Sequence, residues 1–274
     1  RSSAASDVYK RQVYVFLSCF LLSGCGMIDY HPYDVRISGE TEVNAHNIER
    51  IEANCQGKTT IRFVTMGDSQ RWYDETEDFV KEINKRNDID FVIHGGDMSD
   101  FGLTKEFLWQ RDIMNGLNVP YVVLIGNHDC LGTGAETYKA VFGPTNFSFI
   151  AGNVKFVCLN TNALEYDYSE PVPNFTFMEQ EITSRLDEFE KTVISMHARP
   201  YTDVFNDNVA KVFQHYIRQY PGIQVCTAAH THHYQDDVIF DDGIHYVTSD
   251  CMDYRTYLVF TITPEKYEYE LVKY

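Results

Sequence analysis

Five short apolar runs, rich in β-branched residues, stop abruptly at Gly, Asp, Asn or His, and they are the feature that most constrains the fold. They are RFVTMGDSQ (62–70), FVIHGGDMSD (91–100), VVLIGNHD (122–129), VISMH (193–197) and VCTAAHTH (225–232). Amphipathic stretches at 75–85 and 105–115 separate the first three and predict helices. This alternation predicts β-α-β units, and the carboxyl ends of neighbouring parallel strands open onto one crevice.

The second half of the chain is richer in strands. Residues 146–150 and 154–159, separated by Ala-Gly-Asn, predict a hairpin. Further strands are predicted at 192–196, 223–227, 237–240, 245–248, 257–263 and 266–272, and helices at 177–189 and 208–220. We therefore expect a second sheet packed on the first, within a single domain that spans 58–274.

The side chains that end the five runs point to metal chemistry. Asp, Asn and His together are the ligands expected for Zn²⁺, Mn²⁺ or Fe, and they do not resemble a Ca²⁺ cage. Two ions would explain their number, because a shared carboxylate lets two cations about 3.5 to 4 Å apart clamp a phosphoryl group for in-line attack. Glycines beside Asp68, Asp97 and Asn127 allow a sharp turn and close approach.

The sequence resembles the calcineurin-like metallophosphoesterase family over roughly 60–250. The family pattern is Asp-x-His, Gly-Asp-x-x-Asp, Gly-Asn-His-Asp/Glu, His and Gly-His-x-His. This chain carries it as DSQ (68–70), GDMSD (96–100), GNHD (126–129), His197 and AHTH (229–232). The resemblance implies a four-layer α/β fold, with two packed mixed β-sheets flanked by helices, and metal-dependent hydrolysis of phosphate mono- or diesters.

The resemblance also implies two divalent ions (Mn, Zn or Fe) and a set of ligands for them. Asp97 would bridge both ions. The first ion would also be held by Asp68, Gln70 and His232, and the second by Asn127, His197 and His230.

Further roles follow from the same resemblance. His128 would stabilise the transition state or protonate the leaving oxygen, and Asp100 would orient it through a hydrogen bond. Arg199 is either a phosphate-binding residue or an ordinary surface arginine. Asp129 is interpreted as a turn residue and His94 as a core histidine.

The chain departs from the family pattern at two positions. Gln70 stands where a histidine ligand is usual, and its amide oxygen is a weaker donor for Zn²⁺ or Fe, so the first ion should bind more loosely. Ala229 replaces the glycine before His230, which is tolerated if that turn does not require a positive φ.

The N-terminal region predicts export. Residues 1–12 are patternless and are expected to be an upstream tail or a cloning leftover, while the apolar run 13–22 is too short to span a bilayer. Residues 1–24 are therefore predicted to be a tail followed by a signal peptide. Leu-Ser-Gly-Cys25 resembles a bacterial lipobox, which implies lipidation of Cys25 and anchoring in the cell envelope; the alternative is a buried strand. Residues 25–57 are predicted to be a tether, in which 29–57 can include an edge strand or a short helix that leads into the domain.

Charge limits the partners. With 23 Lys plus Arg against 40 Asp plus Glu, the net charge of −17 disfavours long nucleic acids. A small phosphorylated substrate is compatible, because salt screens distant charge beyond about 10 Å.

Two other functions compete with this hypothesis. A metallo-β-lactamase-like hydrolase would place its histidine cluster early in the chain, not at 230–233. A surface lipoprotein whose degenerate site only binds a ligand is the alternative that Gln70 keeps open.

Overall fold

The computed structural model describes residues 12, 31, 33–166 and 169–274. Residues 1–11 of the predicted tail, the apolar run and Cys25 lie outside the described residues. Val35–Tyr274 forms a compact unit of its own. Across the residues that the structure describes, no helix has both the length and the apolar character needed to cross a bilayer.

Two mixed β-sheets form the centre of this unit. Their strands are β1 (Ile61–Met66), β2 (Phe91–His94), β3 (Tyr121–Val123), β4 (Phe147–Ala151), β5 (Val154–Leu159), β6 (Lys191–Met196), β7 (Ile223–Ala228), β8 (Gln235–Asp237), β9 (Tyr246–Thr248), β10 (Thr256–Ile262) and β11 (Tyr267–Lys273). Sheet one has the order β11-β10-β1-β2-β3, and sheet two has the order β4-β5-β6-β7-β9-β8. The strands β1, β2 and β3 run parallel, as do β5, β6, β7 and β9.

The helices cover the two sheets. They are α1 (Val43–Cys55), α2 (Tyr73–Ile83), α3 (Thr104–Met114), α4 (Gly134–Val141), α5 (Phe175–Thr183) and α6 (Ala210–Ile217). Apolar side chains of α2, α3 and α4 pack on the outer face of sheet one. Those of α5 and α6 pack on the outer face of sheet two.

Aromatic side chains join the inner faces of the two sheets. Phe63 of β1 meets Phe156 of β5 edge to face, with 4.9 Å between ring centroids, and Phe91 of β2 meets Phe149 of β4 at 5.5 Å. Inward-facing and outward-facing positions alternate along each strand, because successive side chains of a strand point to opposite faces of the sheet. The predicted four-layer fold, with two mixed sheets flanked by helices, is confirmed.

Within the predicted tether, residues 43–55 form α1, so the short helix is the element present there, and it belongs to the compact unit. Ile51 and Cys55 are buried between the sheets. Asn44 is buried as well, and its side chain accepts from the N–H of Val123 and donates to the C=O of Val123, both at 2.9 Å. The helix thus covers the open edge of β3, which would otherwise present unpaired backbone groups.

Most predicted elements coincide with the observed ones, and the clearest errors lie in sheet two and its cover. The predicted strand 237–240 is wrong, because Ile239 and Phe240 leave the sheet edge and pack against the outer core of sheet two. The predicted helix 177–189 is shorter than expected. It ends at Thr183, where the buried Lys155 ammonium donates to the carbonyl oxygens of Glu181 and Ser184.

Candidate metal centre

The carboxyl ends of five parallel strands meet at one place. Asp68 follows β1, Asp97 follows β2, Asn127 follows β3, His197 follows β6, and His230 and His232 follow β7. Three of these strands belong to sheet one and two to sheet two. The convergence predicted for the strand-end loops is therefore present, and it joins the two sheets at one edge.

Two groups of metal-binding side chains share Asp97. The first is Asp68, Asp97 and His232, and the second is Asp97, His197 and His230; within each group the ligand atoms lie within 4.8 Å of one another. A carboxylate common to two such groups is the arrangement that a bridging ligand requires. Asp68, Asp97 and His197 are almost fully buried, so the centre lies below the surface.

The backbone at this centre is unusual. Asp68, Asp97, His230 and His232 have φ values of 50°, 57°, 73° and 61°. L-residues rarely adopt this left-handed region, although Asp tolerates it better than most. The conformation turns the chain sharply in the loops that follow β1, β2 and β7.

Gly126 is sterically required beside this turn. A Cβ at this position would lie 2.1 Å from Asp97 Oδ1 and 2.2 Å from Asp97 N. Both contacts are far shorter than a carbon atom allows, so any side chain here would displace the shared carboxylate.

Ala229 is accommodated as expected, since its φ is not positive. Its methyl group occupies space left by two glycines. A Cβ at Gly95 would lie 2.9 Å from the Ala229 Cβ, and one at Gly67 would lie 3.0 Å from it. The glycines in the loops after β1 and β2 thus leave room for alanine at the position where the family pattern has glycine.

Within the described part of the chain, three buried oxygens at the centre have no hydrogen-bond partner, namely Asp68 Oδ1, Gln70 Oε1 and Asp97 Oδ2. An imidazole Nε2 lies 3.4 Å from each of the two aspartate oxygens, His232 beside Asp68 and His197 beside Asp97. A buried acceptor left without a hydrogen-bond partner costs about 1 to 3 kcal/mol. All three belong to predicted ligands of the first ion, so a cation there would satisfy them and the donor set fits it.

The second group fits a cation for a different reason. His197 Nδ1 donates to Gly95 O at 2.8 Å, and His230 Nε2 donates to Asp203 Oδ1 at 2.6 Å, an assignment inferred from these acceptors. The remaining ring nitrogens both face Asn127 Oδ1, at 3.0 and 2.9 Å. With neutral rings, three lone pairs converge, which is favourable only if positive charge lies between them.

The electrostatics of Asp97 and His197 agree with this requirement. Burial alone would lower the pKa of His197, but the carboxylates of Asp97 and Asp68 and the hydrogen bond to the Gly95 carbonyl together outweigh it and raise the pKa to about 9. The two side chains approach to 3.4 Å between His197 Nε2 and Asp97 Oδ2. The site therefore favours a positive charge at this point.

Sequence reasoning underestimated Asp129. Its buried carboxylate accepts from the N–H groups of Asp97, Ser99 and Gly126 and from the Ser99 hydroxyl, each at 2.9 Å. Burial, reinforced by Asp97, raises the pKa of Asp129 to about 6. Asp129 thus ties the loops after β2 and β3 together and is more than the predicted turn residue.

The interpretation of His94 as a core residue is confirmed. The ring is fully buried, with Nε2 2.8 Å from Ser69 Oγ, and Nδ1 accepts from Gly96 N at 3.2 Å. Burial lowers the pKa of His94 to about 3, which keeps the ring neutral.

His128 lies beside the centre and outside both ligand groups. Its backbone N–H donates to Asp97 Oδ1 at 2.9 Å. Nδ1 donates to the backbone oxygen of Asp100 at 2.9 Å, whereas the nearest Asp100 carboxylate oxygen is 3.9 Å away. The expected side-chain hydrogen bond is therefore replaced by a backbone one, because the exposed Arg71, which sequence reasoning missed, pairs with that carboxylate.

Arg199 is engaged by sheet two. Its Nη2 donates to Gln235 Oε1 at 2.8 Å and to Asp237 Oδ2 at 2.9 Å, both on β8. Its side chain is only 13% exposed. Arg199 is therefore not an ordinary surface arginine, because its guanidinium is held by β8, and a substrate role for it stays a prediction.

A family model described as calcineurin-like phosphoesterase matches residues 61–234. The chain belongs to the calcineurin-like phosphoesterase family. The matched range contains all the predicted ligands from Asp68 to His232. The general chemistry of this family is metal-dependent phosphoester hydrolysis, and the two groups that share Asp97 are candidate ligands for it.

Solved structures show the same fold at low sequence identity. A dimetal phosphatase from Danio rerio is 11% identical, with a TM-score of 0.60 over 78% of this chain and 97% of that one. A purple acid phosphatase from yellow lupin seeds is 14% identical, with a TM-score of 0.58 over 80% of this chain and 52% of that one. The anchor in the inner membrane complex of Plasmodium is 11% identical, with a TM-score of 0.60 over 79% and 85%. Comparison with curated proteins gave no match.

For this calcineurin-like phosphoesterase, Gln70→His is expected to tighten the binding of the first ion. Gln70 is buried and its Oε1 is unpartnered, so the new imidazole would replace a weak neutral oxygen with a stronger ligand. An improvement of about 1.4 kcal/mol corresponds to about tenfold in affinity. Titration of apo-protein with Mn²⁺ or Zn²⁺ should show two unequal steps in wild type that draw closer in the variant. If both metal affinities are the same in the variant as in wild type, Gln70 is not a ligand of the first ion.

Proposed function

We propose that this chain hydrolyses phosphate mono- or diesters of small molecules with two divalent ions, Mn, Zn or Fe, bound at the shared-carboxylate centre. The observation that carries the proposal is Asp97, because one buried carboxylate belongs to both ligand groups. Family membership supports the same chemistry. Ions bound there would polarise the phosphoryl oxygens and lower the pKa of the attacking water.

The chain's own residues would divide the remaining work. In the hydrolysis, the water oxygen forms a bond to phosphorus while the ester P–O bond breaks, and the departing oxygen takes a proton. His128, as an imidazolium with a proton on each ring nitrogen, is the candidate donor. Its Nδ1–H donates to Asp100 O, and the side chain is 35% exposed, which leaves the Nε2 proton available to a substrate. Asp129 would hold Asp97 and the loop that contains His128 in fixed positions relative to each other, because it accepts from backbone N–H groups of both loops.

Hydrolysis assays on one preparation test the proposal. Apo-protein is loaded with Mn²⁺, Zn²⁺ or Fe²⁺ and assayed with p-nitrophenyl phosphate and with bis(p-nitrophenyl) phosphate. We expect activity that requires about two ions per chain, disappears on chelation and returns on reloading. Full activity in chelated, metal-free protein would rule the mechanism out.

The same assays separate the alternative of a ligand-binding lipoprotein with a degenerate site. That alternative expects bound metal without turnover of either ester. Gln70 was the sequence feature in its favour, but the buried and unpartnered Gln70 Oε1 also suits a metal ligand. His128 favours the enzyme, because it lies beside the centre and belongs to neither ligand group, and a site that only binds a ligand does not need it.

We also propose that the protein is anchored in a bacterial cell envelope through a lipid on Cys25. The support is the sequence of residues 10–25, in which two basic residues, an apolar run and Leu-Ser-Gly-Cys follow one another. Cys25→Ser is expected to leave an unprocessed precursor without lipid. Metabolic labelling with a fatty acid and detergent phase partitioning measure this, and an unlabelled, freely soluble wild type would contradict it.

A further inference from the structure

Asp203 is a carboxylate outside the predicted ligand set that contacts a histidine of the metal centre. Asp203 lies in the loop between β6 and the short 3-10 helix Asp207–Val209, and its Oδ1 accepts from His230 Nε2 at 2.6 Å. The His230 side chain is 12% exposed, whereas that of Asp203 is 89% exposed. The contact therefore joins a sheltered imidazole to a surface carboxylate.

The fold holds Asp203 at this point. The two residues that follow it, Val204 and Phe205, are buried, at 5% and 3% exposure. Val204 O accepts from Leu164 N at 3.3 Å, and Thr202 Oγ1 donates to Arg199 O at 2.7 Å. The backbone before and after Asp203 is fixed by packing and hydrogen bonds. An ordered loop therefore places the Asp203 carboxylate against His230.

We propose that Asp203 is a positioning residue that holds His230 as a ligand of the second ion; this rests on the metal centre of the proposed function. Asp203 accepts the hydrogen bond from His230 Nε2–H and thereby fixes the tautomer whose lone pair is on Nδ1. This Nδ1 faces Asn127 Oδ1 at 2.9 Å. It also fixes the plane of the ring. A carboxylate behind a metal-binding histidine makes the imidazole a better donor.

His197 has the neutral counterpart of this arrangement. Its Nδ1 donates to the backbone oxygen of Gly95 at 2.8 Å, so a carbonyl fixes its tautomer. A carboxylate therefore supports only one of the two histidines of the second group. A substitution cannot remove the Gly95 carbonyl that accepts from His197, but it can remove the Asp203 carboxylate that accepts from His230. Asp203 is therefore the acceptor that can be tested.

Loss of a residue of this kind costs about 10 to 100-fold in metal affinity. We expect the lower end, about tenfold, because water can replace the carboxylate of an 89% exposed side chain as acceptor for Nε2.

The test compares Asp203→Ala and Asp203→Asn with Asp207→Asn as a matched control. Asp207 is the first residue of the 3-10 helix that ends this loop, and its Oδ1 accepts from Tyr201 N at 3.0 Å, which an asparagine oxygen can still do. Apo-proteins are titrated with Zn²⁺ or Mn²⁺ and their melting is followed with and without metal. Asp203→Ala should weaken one of the two binding steps about tenfold and Asp203→Asn by less, while the control and the apo melting temperatures stay unchanged.

The outcomes are distinct. If wild type binds two ions and both Asp203 variants bind them equally well, the role of Asp203 is refuted and the proposed function stands. Equal weakening of both steps with a lower apo melting temperature would show a merely structural residue. If wild type binds fewer than two ions, the metal centre of the proposed function fails, and this inference fails with it.

Discussion

Asp97→Asn is expected to abolish hydrolysis while leaving the fold intact. One substitution removes the carboxylate common to both ligand groups, so both ions should bind more weakly. Losing about 4 kcal/mol of transition-state stabilisation lowers the rate by roughly 10³-fold, and a bridging ligand justifies at least that loss. Metal content by elemental analysis and kcat/KM at fixed free metal measure the effect.

The fold should survive this change for two reasons. Asparagine tolerates a φ of 57°, as at Asp97, and its amide oxygen can still accept from His128 N. Asp112→Asn is the matched control, because it makes the same charge change on an exposed side chain of α3. A variant that keeps two tightly bound ions and near-normal turnover would show that Asp97 does not bridge.

His128→Ala is expected to lower turnover by about 10² to 10⁴-fold, the usual contribution of a positioned proton donor. Both metal affinities should stay nearly unchanged, because the imidazole is in neither ligand group. The backbone N–H of residue 128, which donates to Asp97, remains in the variant. Turnover and metal titration on the same preparation measure the two effects.

The leaving group provides a sharper test of the same role. Nitrophenolate departs without much help from a proton, whereas phenolate needs more. His128→Ala should therefore slow phenyl phosphate more than p-nitrophenyl phosphate. Equal losses on both esters would indicate transition-state stabilisation without proton transfer, and loss of a bound ion would make His128 a ligand.

The sequence predicted the parts of the centre that local patterns encode. A β-branched run that ends at Gly-Asp or Gly-Asn-His marks both a strand and the residue at its carboxyl end, and parallel strands then bring these residues together. Asp97 and Asn127 could be placed in this way, as could the burial of His94. The family pattern added the division into two groups.

Residues whose partners come from elsewhere in the chain could not be predicted. Asp129 resembles a turn residue because its donors, at Asp97 and Ser99, are brought in by another loop. Asp203 has no motif around it. Helix α1 was one of two alternatives within the tether, because two of its buried positions, Asn44 and Asn47, are polar. Asn44 is buried only because the edge of β3 needs its amide.

The left-handed backbone at four of the predicted ligands determines when the centre is organised. Each such residue, among them Asp68, Asp97 and His232, carries about 1 to 3 kcal/mol of strain that the surrounding structure must offset. This strain is present as soon as the domain folds, so the ordering of the ligands is part of the folding free energy. An arriving ion meets side chains that are already in place and loses little affinity to conformational entropy.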